Sequence, residues 1–445
     1  MKLFDEIGRR IRNRLNNSSF LKGIVLLAGG TAVAQFIAIA VSPIISRLFN
    51  PEDIGVLSVY TSTLSMLASF ATMKFDMAIP IADDDDKAIN IMGLSIISVF
   101  AISTVVLLLT LSSGSVFVAI LDAEPLRPYL WLLSIGVIAI GSYTTFLHWA
   151  IRKKDYRSIT KTKVNQGFAK AVVQVGSGVL GFGPVGLIAG EIFGQALGIT
   201  TLAKGFFTSE RVLLKEISVH RMKVMASRYR KFPLISSWST LLNTAGLQMP
   251  VLILAALYGS SVTGSFGFAN KIVSVPLSFI GIAISQAFFS EGASLSKDDP
   301  ERLLRLTIKT AKRLLVLGFA IGSILIVISP WLFAFVFGPA WREAGVYAQV
   351  LSFMLIVRFA VNPISQALSI IEKQGTQFAL DLVRLALVLV SFYSSKLLGL
   401  SAFGAVVMYT IAMTVVYSIT YIVIIKALKN KARDFRERKA DTGSD

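Results

Sequence analysis

Lys74-Phe75-Asp76-Met77-Ala78-Ile79-Pro80-Ile81-Ala82-Asp83-Asp84-Asp85-Asp86-Lys87 closes an apolar run that begins at Ile54 and is long enough to cross a bilayer. A lysine and an aspartate inside such a run each cost roughly 2.5–3.5 kcal/mol at mid-bilayer on insertion scales, and less near the interface. The run therefore predicts something polar beside its last turns, and the aspartates that follow predict where the chain leaves the membrane.

Composition extends that reading to the whole chain. Of 445 residues 54 % are hydrophobic and only 16 % charged, and the mean hydropathy is +0.68, which excludes a soluble globular protein and implies an integral membrane protein. The absence of Cys excludes disulfides and thiolate sites, and two histidines, His148 and His220, exclude a histidine-rich metal centre. No nucleophile–base pair, metal-ligand cluster or phosphate-gripping glycine loop occurs, so neither an enzyme nor a cofactor is expected.

On a ruler of about 20 apolar residues per span, twelve membrane helices are predicted: Gly23 to Leu48, Ile54 to Ala82, Ile89 to Leu111, Pro128 to Ile151, Ser158 to Phe182, Pro184 to Phe206, Phe232 to Tyr258, Thr263 to Glu291, Thr310 to Phe337, Glu343 to Ile371, Thr376 to Leu398 and Ala402 to Leu428. The fold class is thus an all-α membrane protein. Residues 1–22 read as a basic amphipathic cytoplasmic helix, 23–206 as an N-terminal six-helix lobe, 207–231 as a basic linker on the membrane surface, 232–428 as a C-terminal six-helix lobe and 429–445 as a tail. The apolar run after Lys22 is too long for a signal-peptide core and is expected to stay as a membrane helix.

The net charge of +18 is explained by orientation. Among 44 Lys and Arg, only Arg47, Arg127, Arg342 and Lys396 lie at odd-numbered connections. Nearly all others lie at the N-terminus, the even-numbered connections and the tail, so both termini are expected on the cytoplasmic side. The clusters Arg152-Lys153-Lys154, Arg211 to Lys231 and Lys426 to Lys439 are topology determinants, and no nucleic-acid partner is expected. Six helices per half is an even number, so the lobes run in parallel as a pseudo-two-fold repeat. Ile54-Gly55 matches Thr263-Gly264, and Leu180-Gly181 to Gly186 matches Leu398-Gly399 to Gly404.

Within the predicted spans remain Lys74, Lys170, Lys271, Arg358 and Arg384 against Asp76, Glu191 and Asp381. Gln166, Lys170 and Gln174 recur every four residues on the fifth span, and Arg358, Asn362 and Gln366 do so on the tenth. Gln377, Asp381 and Arg384 share a face of the eleventh, and Lys271 accompanies Ser274 and Ser278 on the eighth. Stripes of this kind imply a hydrated cavity between the lobes. Blander roles exist for some: Asp381 and Arg384 can neutralise one another, Lys74 can snorkel, and Gly186, Gly190, Gly194 and Gly198 form a packing run, with Glu191 and Gln195 one step round from it. Lys170 and Arg358 have no acid at i±3 or i±4 and are the foremost substrate candidates. Lys74 and Asp76 stand about 200° apart on a helix, which leaves Asp76 as the cavity residue and Lys74 as an anchor.

The segment Lys74 to Asp84 resembles the basic–aromatic–acidic–x–Ala–Ile signature, with its acidic loop, of bacterial lipid-linked oligosaccharide flippases, the polysaccharide branch of the multidrug/oligosaccharidyl-lipid/polysaccharide exporter superfamily. Gly29-Gly30-Thr31 to Gln35 with Ser46 to Gly55, and Arg152 to Tyr156 with Gly181 to Gly190, are similar to further segments of that family. The resemblance implies two lobes around a cavity, an undecaprenyl-diphosphate-linked oligosaccharide as substrate and alternating access in the bacterial inner membrane. It also implies the lipid bilayer, a polysaccharide polymerase and a chain-length regulator as partners. A cavity holding Lys74, Lys170, Lys271, Arg358 and Arg384 suits a pyrophosphate, and Gln166, Gln174, Asn362 and Gln366 suit sugar hydroxyls. Asp76, Glu191 and Asp381 are candidates for coupling to a proton or sodium gradient, with the membrane potential as a further source. A multidrug antiporter, which should prefer an acidic cavity, is the nearest alternative. A polymerase or glycosyltransferase would need a larger external loop, and a scaffold or channel would not need two opposed stripes.

Overall fold

The computed structural model describes residues 19–121 and 124–442, in which the regular structure is helical throughout. The predicted amphipathic segment before residue 19 lies outside the described residues. Long helices are the expected solution, because a backbone in lipid must satisfy its own hydrogen bonds. The main elements are α1 (Ser19–Leu48), α2 (Pro51–Ala71), α3 (Asp85–Leu121), α4 (Leu132–Arg152), α5 (Tyr156–Val179), α6 (Pro184–Ser209), α7 (Val219–Arg228), α8 (Ser237–Asp298), α9 (Pro300–Phe337), α10 (Arg342–Val361), α11 (Gln366–Ile370), α12 (Gln374–Leu397) and α13 (Ala402–Thr442).

By length and composition, ten of the described helices can cross a membrane. The difference from the predicted twelve has two sources. The seventh and eighth predicted spans form one run, α8, that turns at Gly259 (φ 80°), and α5 carries too many polar residues to count as apolar.

Two predicted helices are interrupted. The second was expected to continue to Ala82, but α2 stops at Ala71, and Met73 and Lys74 take positive φ (49° and 58°) before a 3₁₀ turn over Phe75–Ile81. The cause is local. Thr72 Oγ1 accepts the Lys74 N–H (3.2 Å) and donates to Asp76 Oδ1, which offers the backbone an alternative to the helix, and Pro80 has no N–H with which to resume it. The tenth was expected to reach Ile371; α10 ends at Val361 and a 3₁₀ turn over Pro363–Ser365 separates it from α11, again at a proline.

The chain divides into two compact units. The first comprises Met1–Leu48, Thr63–Phe117 and Arg127–Leu241; the second comprises Phe49–Ser62, Val118–Leu126 and Leu242–Asp445. The basic linker therefore belongs to the first. Asn90 holds it, donating to Glu216 O (3.0 Å) and accepting from the Ser218 N–H (2.9 Å), and Arg228 pairs with Asp83 at 2.9 Å. Hydrogen bonds from Lys87 and Arg228 hold the Asp83 carboxyl below the usual carboxylate range. Arg152, read as a topology determinant, also clamps the 3₁₀ turn, donating to Ile79 O (3.1 Å) and Ala82 O (2.7 Å) and pairing with Asp85 (2.8 Å). Beneath it Phe75, Ile79, Ile89, Met92, Trp149 and Phe206 form a core cluster.

In the second unit α2 and α8 cross so closely that neither Gly55 nor Gly264 could carry a Cβ: Gly55 faces Ser260 backbone, and Gly264 faces Pro51 backbone. Each glycine meets the residue four positions before the other, which is the contact a two-fold relation produces. The repeat is visible again in two turns. After α5, Gly181 (φ 74°) follows Leu180 with Phe182 N–H donating to Ser177 O (3.0 Å); after α12, Gly399 (φ 62°) follows Leu398 with Leu400 N–H donating to Ser395 O (3.0 Å). Both are the same glycine-terminated helix end. The end of α13 is tied down within this unit by Lys431 to Ser296 (2.8 Å) and by the Arg436–Glu301 ion pair.

Candidate functional site

In the first unit the stripe on α5 is docked on α6. Gln166 Nε2 donates to Gln195 Oε1 (2.9 Å), Lys170 pairs with Glu191, and Gln174 Nε2 donates to Leu187 O (3.0 Å). The glycine run on α6 makes the room: a Cβ at Gly198 would overlap Gln166, one at Gly194 would lie 3.3 Å from the Lys170 Cβ, and one at Gly190 would overlap Gln174. Two four-residue repeats on adjacent helices thus interlock, small against large. Two of the expected substrate residues are engaged in this contact. Gln174 is buried at 3 % exposure, with its amide on the α6 backbone. Lys170 is not an uncompensated cation, because its acid comes from the neighbouring helix rather than from its own.

Asp76, expected in the cavity, is buried at 1 % exposure. Its carboxylate is held by Thr72 and by His148 Nδ1, 3.1 Å from Oδ2. His148 had no role in the sequence reading, since nothing in spacing brings α4 to the break after α2. Lys74 is half-buried at that break.

The second unit is built differently. Where α10 stops before Pro363, a cavity of ≈ 280 Å³ opens against α8, with Arg358 and Asn362 on one side and Ser274, Ser278 and Ser285 on the other. Leu277, Ile282, Leu355 and Phe359 supply its apolar wall. The Arg358 guanidinium has no hydrogen-bond acceptor or acid partner among the described residues. A second cavity of ≈ 280 Å³ adjoins it, lined by Asn243, Gln377, Asp381, Arg384 and Thr420 and again by Asn362. Here Arg384 Nη2 lies 2.9 Å from Asp381 Oδ1, and Asn243 Nδ2 donates to Asp381 Oδ2 at 3.2 Å. Asp381 and Arg384 thus stand as an ion pair, while Arg384 Nε and Nη2 are both buried without a hydrogen-bond acceptor. Gly246 leaves space for this guanidinium; a Cβ there would be 3.1 Å from Nε.

Of the predicted residues, Arg358, Asn362, Asp381 and Arg384 are thus brought together. Gln366 falls beyond the proline break, exposed, and lines neither cavity; Lys271, half-buried, also lines neither. Asn243, Ser285 and Thr420 were missed, since none has a charged or amide residue at i±3 or i±4 to mark a stripe.

Residues 44–346 match the family described as polysaccharide biosynthesis protein. The chain is similar to the succinoglycan biosynthesis transport protein ExoT of Rhizobium meliloti (strain 1021), with 22 % identity over 79 % of this chain and 68 % of the relative. Among solved structures it resembles the inward-facing conformation of a multidrug resistance MATE family transporter of the MOP superfamily (TM-score 0.71, 16 % identity, covering 89 % of this chain and 96 % of that one). It also resembles the lipid II flippase MurJ in an inward closed conformation (TM-score 0.66, 11 % identity, 92 % and 90 %). At such identities the structures speak for the fold alone. The family match spans more than half of the chain, and the chain belongs to the polysaccharide biosynthesis protein family, on the fold shared by MOP-superfamily transporters.

Proposed function

We propose that the protein moves an undecaprenyl-diphosphate-linked oligosaccharide repeat unit from the cytoplasmic to the outer leaflet of the bacterial inner membrane by alternating access, with both termini cytoplasmic. The observation that carries this reading is Arg358, a cation beside a cavity with no acid to neutralise it. An unpaired cation in a low-dielectric site is costly, and a diphosphate would offset that cost through charge-assisted hydrogen bonds. An exported organic cation would be repelled by the same group, which weighs against the antiporter reading. A cytoplasm-negative potential of about 100 mV favours outward transfer of each negative charge by roughly 2.3 kcal/mol, so the potential can contribute to the drive. For ion coupling, Asp76 is preferred over Glu191 and Asp381: it lies beside an imidazole, whereas the other two are held in ion pairs by Lys170 and Arg384.

The test is Arg358→Ala in protein that inserts normally. Lipid-linked repeat units should accumulate on the cytoplasmic side and surface polysaccharide should fall at least tenfold, with Arg358→Lys intermediate because the point charge remains while the bidentate geometry is lost. Normal polymer output from Arg358→Ala would sink the reading.

A further inference from the structure

We propose that the two cavities of the second unit form one bipartite site for a glycosyl phosphate headgroup, in which the Arg358 chamber takes the phosphate and the Asp381–Arg384 chamber takes the sugar bonded directly to it. The inference rests on the flippase reading and goes beyond it by dividing the headgroup between named residues.

Charge assigns the ends. Arg358 is the group with an unmatched charge, so the anion belongs in its chamber, where the wall of Leu277, Ile282, Leu355 and Phe359 also suits the first carbons of an isoprenoid. The other chamber already contains a carboxylate, and a second anion would be repelled by Asp381. Its chemistry is that of a neutral polyol site. Asp381 is held by Arg384 and Asn243 and still has lone pairs for hydroxyl donors, Gln377 can donate and accept, and Thr420, whose hydroxyl donates to Val416 O (2.8 Å), can accept.

Geometry assigns the spacing. Asn362 lines both chambers, so a ligand that fills both must carry its anionic group next to its hydroxylated group, as a sugar 1-phosphate or 1-diphosphate does. A phosphate separated from its sugar by a lipid chain would not fit. Each chamber, at ≈ 280 Å³, is just below the range of roughly 300–1,000 Å³ usual for ligand pockets, and the two together fall within it.

The test uses the full chain in lipid nanodiscs with two kinds of probe: geranyl diphosphate, and geranyl diphosphate carrying glucose, galactose, mannose or their 2-acetamido forms at the terminal phosphate. At least one glycosylated probe should bind about tenfold more tightly than geranyl diphosphate, the difference expected from one or two hydrogen bonds to charged groups. Asp381→Asn and, as a milder variant, Asn243→Ala should erase that gain and leave geranyl diphosphate within about twofold, whereas Arg358→Ala should weaken both probes by about tenfold. If no sugar improves binding, or if Asp381→Asn and Asn243→Ala weaken geranyl diphosphate as much as the glycosylated probe, the bipartite site is wrong while the flippase reading stands on its Arg358 effect. If wild-type protein binds no probe and Arg358→Ala leaves polymer output normal, both fall together.

Discussion

The stripe on α5 and the stripe that begins on α10 look equivalent in sequence, each a basic residue and two amides at four-residue spacing, and in the folded protein they have opposite fates. The α5 stripe meets a second periodic feature on the next helix, the glycine run of α6 with Glu191 and Gln195 beside it, and every member of the stripe finds a partner there. The α10 stripe meets a proline. Pro363 ends the helix, Gln366 is carried away from its neighbours, and the gap left beside α8 is the cavity that Arg358 and Asn362 line. A polar stripe is thus a structural zipper when the neighbouring helix carries a complementary repeat of the same period. It is a candidate site when the helix beneath it breaks.

That contrast predicts where stability should be lost. The largest effect is expected at Arg384, whose ion pair with Asp381 is only 13 % exposed on each side. Arg384→Met leaves a buried carboxylate with Asn243 alone and should cost about 3–5 kcal/mol, read as a fall in thermal stability in detergent. Next is Lys170→Met, which strands Glu191. Because the Lys170 and Glu191 side chains keep 28 % and 21 % exposure, the cost is set lower, at about 2–3 kcal/mol. The double variant Lys170→Met/Glu191→Leu should recover most of it, together with transport. A double variant that is stable yet inactive would return Lys170 to the substrate path and end the distinction between the two stripes. Smaller again is Gly190→Ala, whose Cβ would overlap the Gln174 side chain; a loss of about 1–3 kcal/mol is expected, since that side chain can partly give way. Gly176, with nothing within 4 Å of an added Cβ, is the matched position at which Ala should be harmless.

Much of the architecture was legible because it follows from one-dimensional quantities. Apolar run length located most of the helices, and the matched glycine pairs Gly55/Gly264 and Gly181/Gly399 mark equivalent places in the two halves because only glycine tolerates that close approach or that positive φ. The helix breaks were less legible: Pro80 and Pro363 were visible, but the competing bonds of Thr72 to Lys74 and Asp76 depend on a side chain reaching forward along its own segment. Least legible were the partners. Intrahelical spacing reveals an acid at i±3 or i±4 and is blind to one on the next helix, so Lys170 and Arg358 were indistinguishable until Glu191 was seen against one of them. His148 was hidden from Asp76 for the same reason.

The smallest expected change is the one that separates the stripes most sharply. Lys170 and Arg384 each hold an acid, so removing either leaves a charge behind; Arg358 holds none, so Arg358→Met removes a charge and leaves nothing unpaired. Taking an uncompensated guanidinium out of a partly apolar site also removes a desolvation cost. Arg358→Met is therefore expected to leave the melting temperature unchanged within about 0.5 kcal/mol of stability, or to raise it, while abolishing transport, the trade of stability for function found where a site is kept ready for a ligand. Thermal unfolding of Arg358→Met and Lys170→Met in the same detergent decides the matter. Equal losses in the two variants would mean that Arg358 is as structural as Lys170, and the described lining of the two cavities would then hold no unneutralised cation for a diphosphate.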